Sequence, residues 1–490
     1  MACTCRRQGG IALLIVVITL ALIASAYYFS TISLVEVKTA NLETTQQALK
    51  QAKAALLRFA AIHPAAGGNT AKGKVGYLPC PHISNATEGG QDGNCNNRNK
   101  NTIGYLPWNT LDTGILRDGS GSCLWYAVSG SYKNSPDSQL INEDTNGMFE
   151  IVDANGDVVV GSQPQDRVVA VVFAPGAALG NQARNIDTDS ACGKDVGNIS
   201  AYLEGNGVTD NAEVLDAVDN VDRFVHATLT SADAATPYND YFVTITRREL
   251  WQPIMANSDI NTRLRETTEA LAMCLAEYAN TAMNVQRRLP WPASLEVTDA
   301  SGNVDYRDMA DYSDVADAVE GYAGRFPFDS DDSNAKIGLL LDEMISNGFC
   351  QNLAVTGGVN VDLVTPTSEH RILLNNWKDH FFYAVSKSYS LTKNTWAACS
   401  GDCLSVINAS GVGTQYAAIV FFGGSPLNAQ LRDTGDRKQV GYYLENGNDT
   451  VFPDAGGNGV YNTAGAGSND LMYCLTTIPG TGNPITVVQC

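Results

Sequence analysis

Residues Ile11–Ile32 read IALLIVVITLALIASAYYFSTI and contain no charged residue. As an α-helix it would rise about 33 Å, enough to cross the ~30 Å hydrocarbon core of a bilayer. Arg6 and Arg7 precede it, and the positive-inside rule therefore places the N-terminus in the cytoplasm. The sequence thus predicts a membrane anchor that carries an exported body.

The helical pattern continues beyond the apolar run. Apolar residues recur at steps of 7, 3, 4 and 3 along one stripe, formed by Leu42, Leu49, Ala52, Leu56 and Phe59. No Pro or Gly occurs between Gly10 and Pro64. We therefore expect one unbroken helix, Ile11–Ile62, with one half suited to lipid and the other to packing on a globular domain.

A cleaved secretory signal peptide is the alternative. Ala24-Ser25-Ala26 matches the small-residue cleavage pattern, and a cut there would leave Tyr27 as the first residue. Against this alternative, the apolar run and the helical pattern both continue past Ala26.

Composition narrows the function classes. The chain has 490 residues, of which 44% are hydrophobic and 17% charged, so it can bury a core and is no disordered polyelectrolyte. A formal charge of −20 argues against nucleic acid as a partner. There are five His and no G-x-S-x-G motif. We predict no catalytic residue, and the interpretation is that the protein is not an enzyme.

The exported part repeats itself. Landmarks recur in the same order, which is the signature of an internal repeat. The pairs are Gly76–Pro81 with Arg288–Pro292, Gly104–Trp108 with Gly324–Phe328, Leu124–Ser129 with Phe381–Ser386, Val169–Phe173 with Ala417–Phe421, Tyr202–Glu204 with Tyr443–Glu445, and Asn239-Asp240 with Asn469-Asp470. The prediction is an α+β chain with two tandem, homologous modules built on antiparallel β-sheets. The modules span residues 67–250 and 273–490, and residues 251–272 form a linker and the start of a second helix, around Ile260–Ala282.

The N-terminal arrangement resembles the type IV filament superfamily: type IV pilins, minor pilins and type II secretion pseudopilins. The matching features are a short basic leader ending in Gly9-Gly10, an apolar helix start at Ile11, and the amphipathic continuation to residue 66. The head segments Leu78–Pro81, Gly104–Trp108 and Tyr202–Glu204 resemble a group of bacterial prepilin-type proteins.

The resemblance implies specific processing and packing. A prepilin peptidase would remove residues 1–10 by cutting between Gly10 and Ile11, with Gly9 as a second possible site, and Ile11 would become a methylated N-terminus. The helix would pack among sister helices through Ile11, Leu14, Ile15, Ile18 and Leu22. Implied partners are other pilin or pseudopilin subunits, the peptidase and the inner membrane.

One position departs from the family. Ile15 stands where most pilins carry the Glu that neutralises the N-terminal amine of the preceding subunit. A lone carboxylate in lipid costs roughly 2.5–3.5 kcal/mol and needs such a partner, which a first subunit would lack. The expectation is a minor pilin or pseudopilin-like subunit of a type IV pilus or type II secretion filament, at the tip or in assembly initiation. It would lie in the bacterial inner membrane with a periplasmic head, and later in a surface filament. The alternative is a tip adhesin whose second module binds a surface, glycan or secreted substrate.

Cysteine usage agrees with export. Twelve Cys occur, and Cys3 and Cys5 fall in the leader, which leaves an even number for disulfides in an oxidising periplasm. Connectivity stays open, but proximity favours Cys80–Cys95, Cys399–Cys403 and Cys474–Cys490. A zinc site is disfavoured because Cys399 and Cys403 lack a second ligand pair.

Two further features have competing interpretations. One is the group of three carboxylates at Asp329, Asp331 and Asp332, which suggests a calcium site. The competing interpretation is a solvated acidic loop at the start of a helix. No other cofactor is expected. Asp153–Asp157 and Asp299–Asn303 predict hairpin turns. His380 precedes an apolar strand, and we interpret it as a residue at the rim.

Overall fold

The computed structural model describes residues 9–490 except 63–74, 85–86, 98, 136–140, 181, 186–190, 216–219, 228, 230–236, 283, 294, 296–320, 328–340, 392–398, 400, 428–429, 431, 433–438, 455, 464, 466 and 478–483. The fold is α+β, with helices packed on sheets that are mostly antiparallel. Among the residues described, no helix combines the length and hydropathy needed to cross a membrane.

A single helix, α1, spans Gly9–Ile62. Its two halves differ in environment. Leu14 and Leu22 are 62% and 63% exposed, whereas Leu49, Ala52, Leu56 and Phe59 are buried. Leu42, placed on the same stripe by the sequence, is exposed.

The first sheet has seven strands in the order β1-β2-β5-β3-β4, with β6 beside β3 and β7 beside β5. The strands are β1 (Thr102–Tyr105), β2 (Trp125–Val128), β3 (Phe149–Val152), β4 (Val158–Val160), β5 (Val168–Ala174), β6 (Asp222–Val225) and β7 (Tyr241–Thr246). Among the strand pairs that the described residues form in this sheet, β3–β6 is the parallel one. The Asp153–Asp157 turn joins β3 to β4, as the sequence predicts.

Two helices follow β7: α2 (Arg247–Met255) and α3 (Ser258–Ala279). The second sheet contains β8 (Ala323–Arg325), β11 (Phe381–Val385), β12 (Leu404–Ile407), β13 (Gly413–Phe422), β14 (Val460–Asn462), β15 (Leu471–Thr476) and β16 (Val487–Gln489). Between β8 and β11 lie α4 (Leu341–Ser346), the small β9 (Leu353–Ala354) and β10 (Asn360–Val361) pair, and α5 (Glu369–Asn376).

Both sheets pair their strands in the same way. In the first, β5 lies between β2 and β7, and β1 flanks β2; in the second, β13 lies between β11 and β15, and β8 flanks β11. The register also agrees, because Gly104–Tyr126–Val172 and Gly324–Tyr383–Val420 form equivalent cross-strand rows. A parallel strand, β14, pairs with β12 as β6 pairs with β3.

Each sheet has a helix on one face. The buried half of α1 packs on β5 and β7, and α3 packs on the corresponding strands β13 and β15. One continuous apolar core joins both helices and both sheets. Tyr202 and Tyr443 cover the opposite faces of the first and second sheets.

The region expected as a linker is largely helical. Helix α2 crosses the expected boundary at Leu250, and α3 begins at Ser258 and ends at Ala279. Thr246 and Glu249 form a reciprocal capping box at the start of α2. This T-x-x-E pattern is visible in the sequence and predicts the start of α2, which lies where a linker was expected.

Candidate functional site at the junction of the two sheets

The two sheets meet where residues 141–147, between β2 and β3, touch the short turn Lys378–His380 that precedes β11. The Asn142 Nδ2 donates to the Asn376 carbonyl at 2.9 Å and to Asp379 Oδ1 at 2.8 Å. These atoms are buried, so the bonds fix one sheet against the other without competition from water.

His380 occupies the centre of this contact. Its Nδ1 lies 2.8 Å from the Gly423 carbonyl, which can only accept, so this nitrogen carries a proton. Its Nε2 lies 3.1 Å from Asp144 Oδ2, and both side chains are fully buried. A ring nitrogen this close to a carboxylate oxygen forms an ion pair when the ring carries a second proton, and the geometry is therefore that of a buried imidazolium–carboxylate pair.

The electrostatics agree with that assignment. Burial lowers the pKa of His380, but the carboxylates of Asp379 and Asp144 outweigh it, so the net shift is upward. Burial raises the pKa of Asp144, but Arg432 and His380 outweigh it and hold the pKa below its ordinary value. Burial, followed by the charge of Asp144, raises the pKa of the neighbouring Glu143. We call Glu143, Asp144, Asp379, His380 and Arg432 the junction cluster.

One ligand atom each from Asp144, Asp379 and His380 lies within 4.8 Å of the others, a spacing that could hold a metal ion. Arg432 Nη1 is 3.7 Å from the same Asp144 oxygen that faces His380. A guanidinium at that distance already supplies positive charge and would repel a metal cation. The cluster fits a buried ion-pair network better than a metal centre.

A second constellation occurs once on each sheet. On the first, Gln182 Nε2 donates to Glu204 Oε1 at 2.6 Å, and the Glu204 backbone N–H donates to Asp240 Oδ2 at 2.9 Å. The Asn239 backbone N–H donates to Glu204 Oε2 at 3.0 Å. Both Glu204 oxygens are therefore bonded to the protein, which suits a structural clamp rather than a catalytic acid.

On the second sheet the same bonds recur. Gln430 Nε2 donates to Glu445 Oε1 at 2.9 Å, and the Glu445 backbone N–H donates to Asp470 Oδ2 at 2.9 Å. Burial raises the pKa of Asp470 to about 8 and that of its counterpart Asp240 well above its ordinary value. Each clamp ties the segment after the central strand to the start of the neighbouring strand. Gln430 thereby fixes the segment after β13, and Arg432 of the same segment reaches the junction.

A cavity of about 360 Å³ lies beside the junction cluster. One wall is α2, which contributes Arg247, Arg248, Trp251, Gln252 and Met255, and the other is formed by Ser425, Pro426 and Gln430 after β13. Glu143 and Gln165 complete the lining, so Glu143 belongs to both the cluster and the cavity. We call this space the junction cavity.

The structure does not bring the sequence-predicted site residues together. Leu14, Ile15, Ile18 and Leu22 are exposed on α1, which also contains Gly10 and Ile11. Asp329, Asp331 and Asp332, as well as the Asp299–Asn303 turn, lie outside the described residues.

The three proximity-favoured disulfides are present as Cys80–Cys95, Cys399–Cys403 and Cys474–Cys490. Two more join Cys123 to Cys192 and Cys274 to Cys350. Their half-cystines are 69 and 76 residues apart, a separation that proximity in sequence could not reveal.

The rim interpretation of His380 is wrong, because the side chain has no exposed surface. An apolar strand that follows a turn does not show whether another segment covers the turn, and here residues 141–147 cover it. The sequence patterns described above do not predict Asp144 or Arg432 as site residues. A signal for Arg432 existed, since Gln430-x-Arg432 repeats Gln182-x-Arg184 in the duplicated order.

Comparison with protein families, with curated proteins and with solved structures finds no match to this chain.

Proposed function

We propose that the protein is a minor pilin or pseudopilin-like subunit, anchored in the inner membrane and placed at the tip of a filament or at the start of its assembly. The observation that carries the proposal is the division of α1. The exposed apolar side chains of its first half need a partner, lipid or sister helices, while its second half is buried against the first sheet.

The repeated strand pairing supports a tandem duplication of one pilin-like module. Each copy has a helix on the same two strands, α1 on β5 and β7 and α3 on β13 and β15. Helix α3 has 22 residues against 54 for α1 and lacks an apolar extension. The doubled head therefore has one stalk, and such a head would crowd its neighbours in a closely packed shaft. Together with Ile15 in place of Glu, this favours a tip position.

The mature N-terminus tests the proposal. We would express the chain in a bacterium with a type IV filament system and determine the N-terminal mass by mass spectrometry. The expected first residue is Ile11, and Gly10→Val should leave the leader uncut. Deletion of the prepilin peptidase should have the same effect.

Ala26→Val is the matched control, because it blocks signal peptidase at the alternative site and should not change processing. A first residue of Tyr27 in the wild-type chain, lost in Ala26→Val, would contradict the proposal.

A further inference from the structure

The clamp on the second sheet, formed by Gln430, Glu445 and Asp470, brings two carboxyl groups together. Asp470 Oδ2 accepts the Glu445 backbone N–H at 2.9 Å, and the Glu445 carboxyl lies within hydrogen-bonding reach of the Asp470 carboxyl. Asp470 is 4% exposed, so water does not separate the two groups. Two ionised carboxylates repel each other and can only accept, whereas a proton on one lets it donate to the other. The geometry therefore fits a pair that shares one proton.

The surroundings of the pair favour the protonated form. Burial raises the pKa of Asp470 to about 8, and the charge of Glu445 adds to the rise. The Glu445 backbone N–H and the guanidinium of Arg432 act in the opposite direction but do not cancel it. The proton is therefore still bound at neutral pH.

Glu445 also fixes the segment that follows β13. Its Oε1 accepts from Gln430 Nε2 at 2.9 Å, and its Oε2 accepts from the Asn469 backbone N–H at 3.3 Å. Glu445 is partly exposed, whereas Asp470 is buried. When both carboxyls are ionised, Glu445 is the one that can turn toward water, and its bond to Gln430 is then lost.

Gln430 is connected to the junction through Arg432, two residues further along the chain. The guanidinium of Arg432 lies 4.5 Å from the ring centroid of Tyr443, and its Nη1 lies 3.7 Å from Asp144 Oδ2. Tyr443 in turn precedes Glu445 by two residues. A movement of Glu445 therefore acts on groups that join the two sheets.

We propose that this clamp is a proton-operated latch of the junction: the shared proton keeps Glu445 turned inward, and its loss lets the segment that carries Arg432 move away from Asp144. The closed form binds the proton more tightly than the open form, so the latch is strongest in acid. Opening should become about tenfold easier per pH unit until the closed pair itself ionises near pH 8. The proposal does not depend on membership of a filament.

The clamp on the first sheet supplies a matched control. Asp240 accepts the Glu204 backbone N–H at 2.9 Å and is 1% exposed, and burial raises its pKa well above the ordinary value. Tyr238 and Arg184 are the other ionisable groups that face this pair. Arg184, the counterpart of Arg432, donates its hydrogen bonds within the first module. Asp240→Asn therefore makes the same chemical change away from the junction.

Hydrogen exchange of the full chain in detergent, followed from pH 5 to pH 8, tests the latch. The readout is the protection of residues 141–147, where the Asp144 and Thr145 amides donate to Asn142, after correction for the rise of the intrinsic exchange rate with pH. The opening equilibrium should rise about tenfold per pH unit more steeply in the wild type and in Asp240→Asn than in Asp470→Asn. The amide of Asp470→Asn can donate to Glu445 at every pH, so this variant has no proton to lose.

His380 and Glu143 add a pH dependence of their own to the junction, and all the variants retain it. At pH 5 the wild type is protonated, so Asp470→Asn should protect the loop equally well there, which verifies its fold. If it does not fold, Glu445→Gln replaces it, because a glutamine amide can donate to ionised Asp470 and should flatten the pH dependence in the same way.

Equal steepness in the wild type and in Asp470→Asn would overturn the proposal, because the proton would then have no effect on the junction. Equal flattening by Asp240→Asn and Asp470→Asn would also overturn it, since exchange would then report unfolding of the whole head. The N-terminal processing test does not involve this clamp, so the two proposals fail independently.

Discussion

His380 lies in a cluster with contributions from three segments: Asp144 from the loop before β3, Asp379 from its own turn, and Arg432 from the segment after β13. Its pKa is raised in the folded protein, so the fold binds the proton more tightly than the unfolded chain does. The stabilisation is fully present below the unfolded pKa of about 6.5 and is lost as pH rises through the folded pKa.

Replacing His380 should therefore lower the stability of the fold most at acidic pH. We expect His380→Gln to lower the free energy of unfolding by about 3–5 kcal/mol near pH 5.5, because Asp144 loses its buried partner. The difference from the wild type should shrink as pH rises toward about 9. Urea unfolding across this range measures it, and a difference independent of pH would contradict the imidazolium assignment.

Asp470 gives a second pH dependence at the same scale. Its pKa moves from 3.8 to about 8, so the folded state retains a proton that the unfolded chain loses, and stability falls as pH rises through this window. Asp470→Asn imitates the protonated carboxyl and should be more stable than the wild type by about 1–3 kcal/mol near pH 8.5. Denaturant melts test this, with exposed Asp157→Asn as the control. Equal destabilisation by Asp470→Asn at every pH would show that the carboxyl is ionised in the fold.

At the scale of elements, α1 should behave as two independent halves. Leu56 is completely buried against the first sheet, and Leu56→Ala should cost about 2–5 kcal/mol of head stability. Leu14→Ala should leave the melting temperature of the head unchanged, since Leu14 is 62% exposed. Thermal unfolding of the full chain in detergent compares the two. Equal destabilisation would mean that the first half of α1 also packs on the head.

The disulfides should contribute different amounts to stability, according to the length of the loop that each one closes. Cys274 and Cys350 are 76 residues apart, whereas Cys399 and Cys403 are 4 apart. In the chain-entropy model the longer loop is worth about 4.5 kcal/mol and the shorter about 2 kcal/mol. Replacing each pair by Ala and measuring unfolding in denaturant should reproduce this order. The opposite order would indicate that native packing, and not loop entropy, sets their value.

At the scale of the whole molecule, the shared core predicts cooperative unfolding. Trp251 of α2 and Trp377, the residue after α5, meet edge to face, with ring centroids 5.6 Å apart. We expect a single calorimetric transition for the wild-type head. Trp377→Ala combined with Asn142→Ala should split it into two, because both changes remove contacts between the sheets. Two transitions in the wild type would contradict the coupling.

This coupling also affects how the tip and adhesin roles can be separated. Deleting the second sheet would expose the apolar core that it shares with the first, so lost filaments could reflect misfolding. Substitutions in the junction cavity, such as Gln252→Ala, avoid that difficulty. Filaments that assemble but no longer adhere in this variant would favour a binding role at the tip.

Features of this protein that depend on local pattern can be predicted from the amino-acid sequence. Spacing and the lack of Pro and Gly indicate α1, and the repeated order of landmarks anticipates the matching strands β2 with β11 and β5 with β13. Tyr202–Glu204 and Tyr443–Glu445 can be recognised as a repeated pair for the same reason, because each is a short contiguous motif.

The junction, in contrast, depends on contacts between segments that are far apart in the chain. Asn142 and Asp379, 237 residues apart, bond to each other, and Asp144 meets His380 and Arg432 from similarly distant segments. No local periodicity encodes such a meeting, because it depends on how two separately formed sheets face each other. Burial then changes the chemistry of the same residues, since removing water makes a histidine in a polar turn into one half of a buried ion pair.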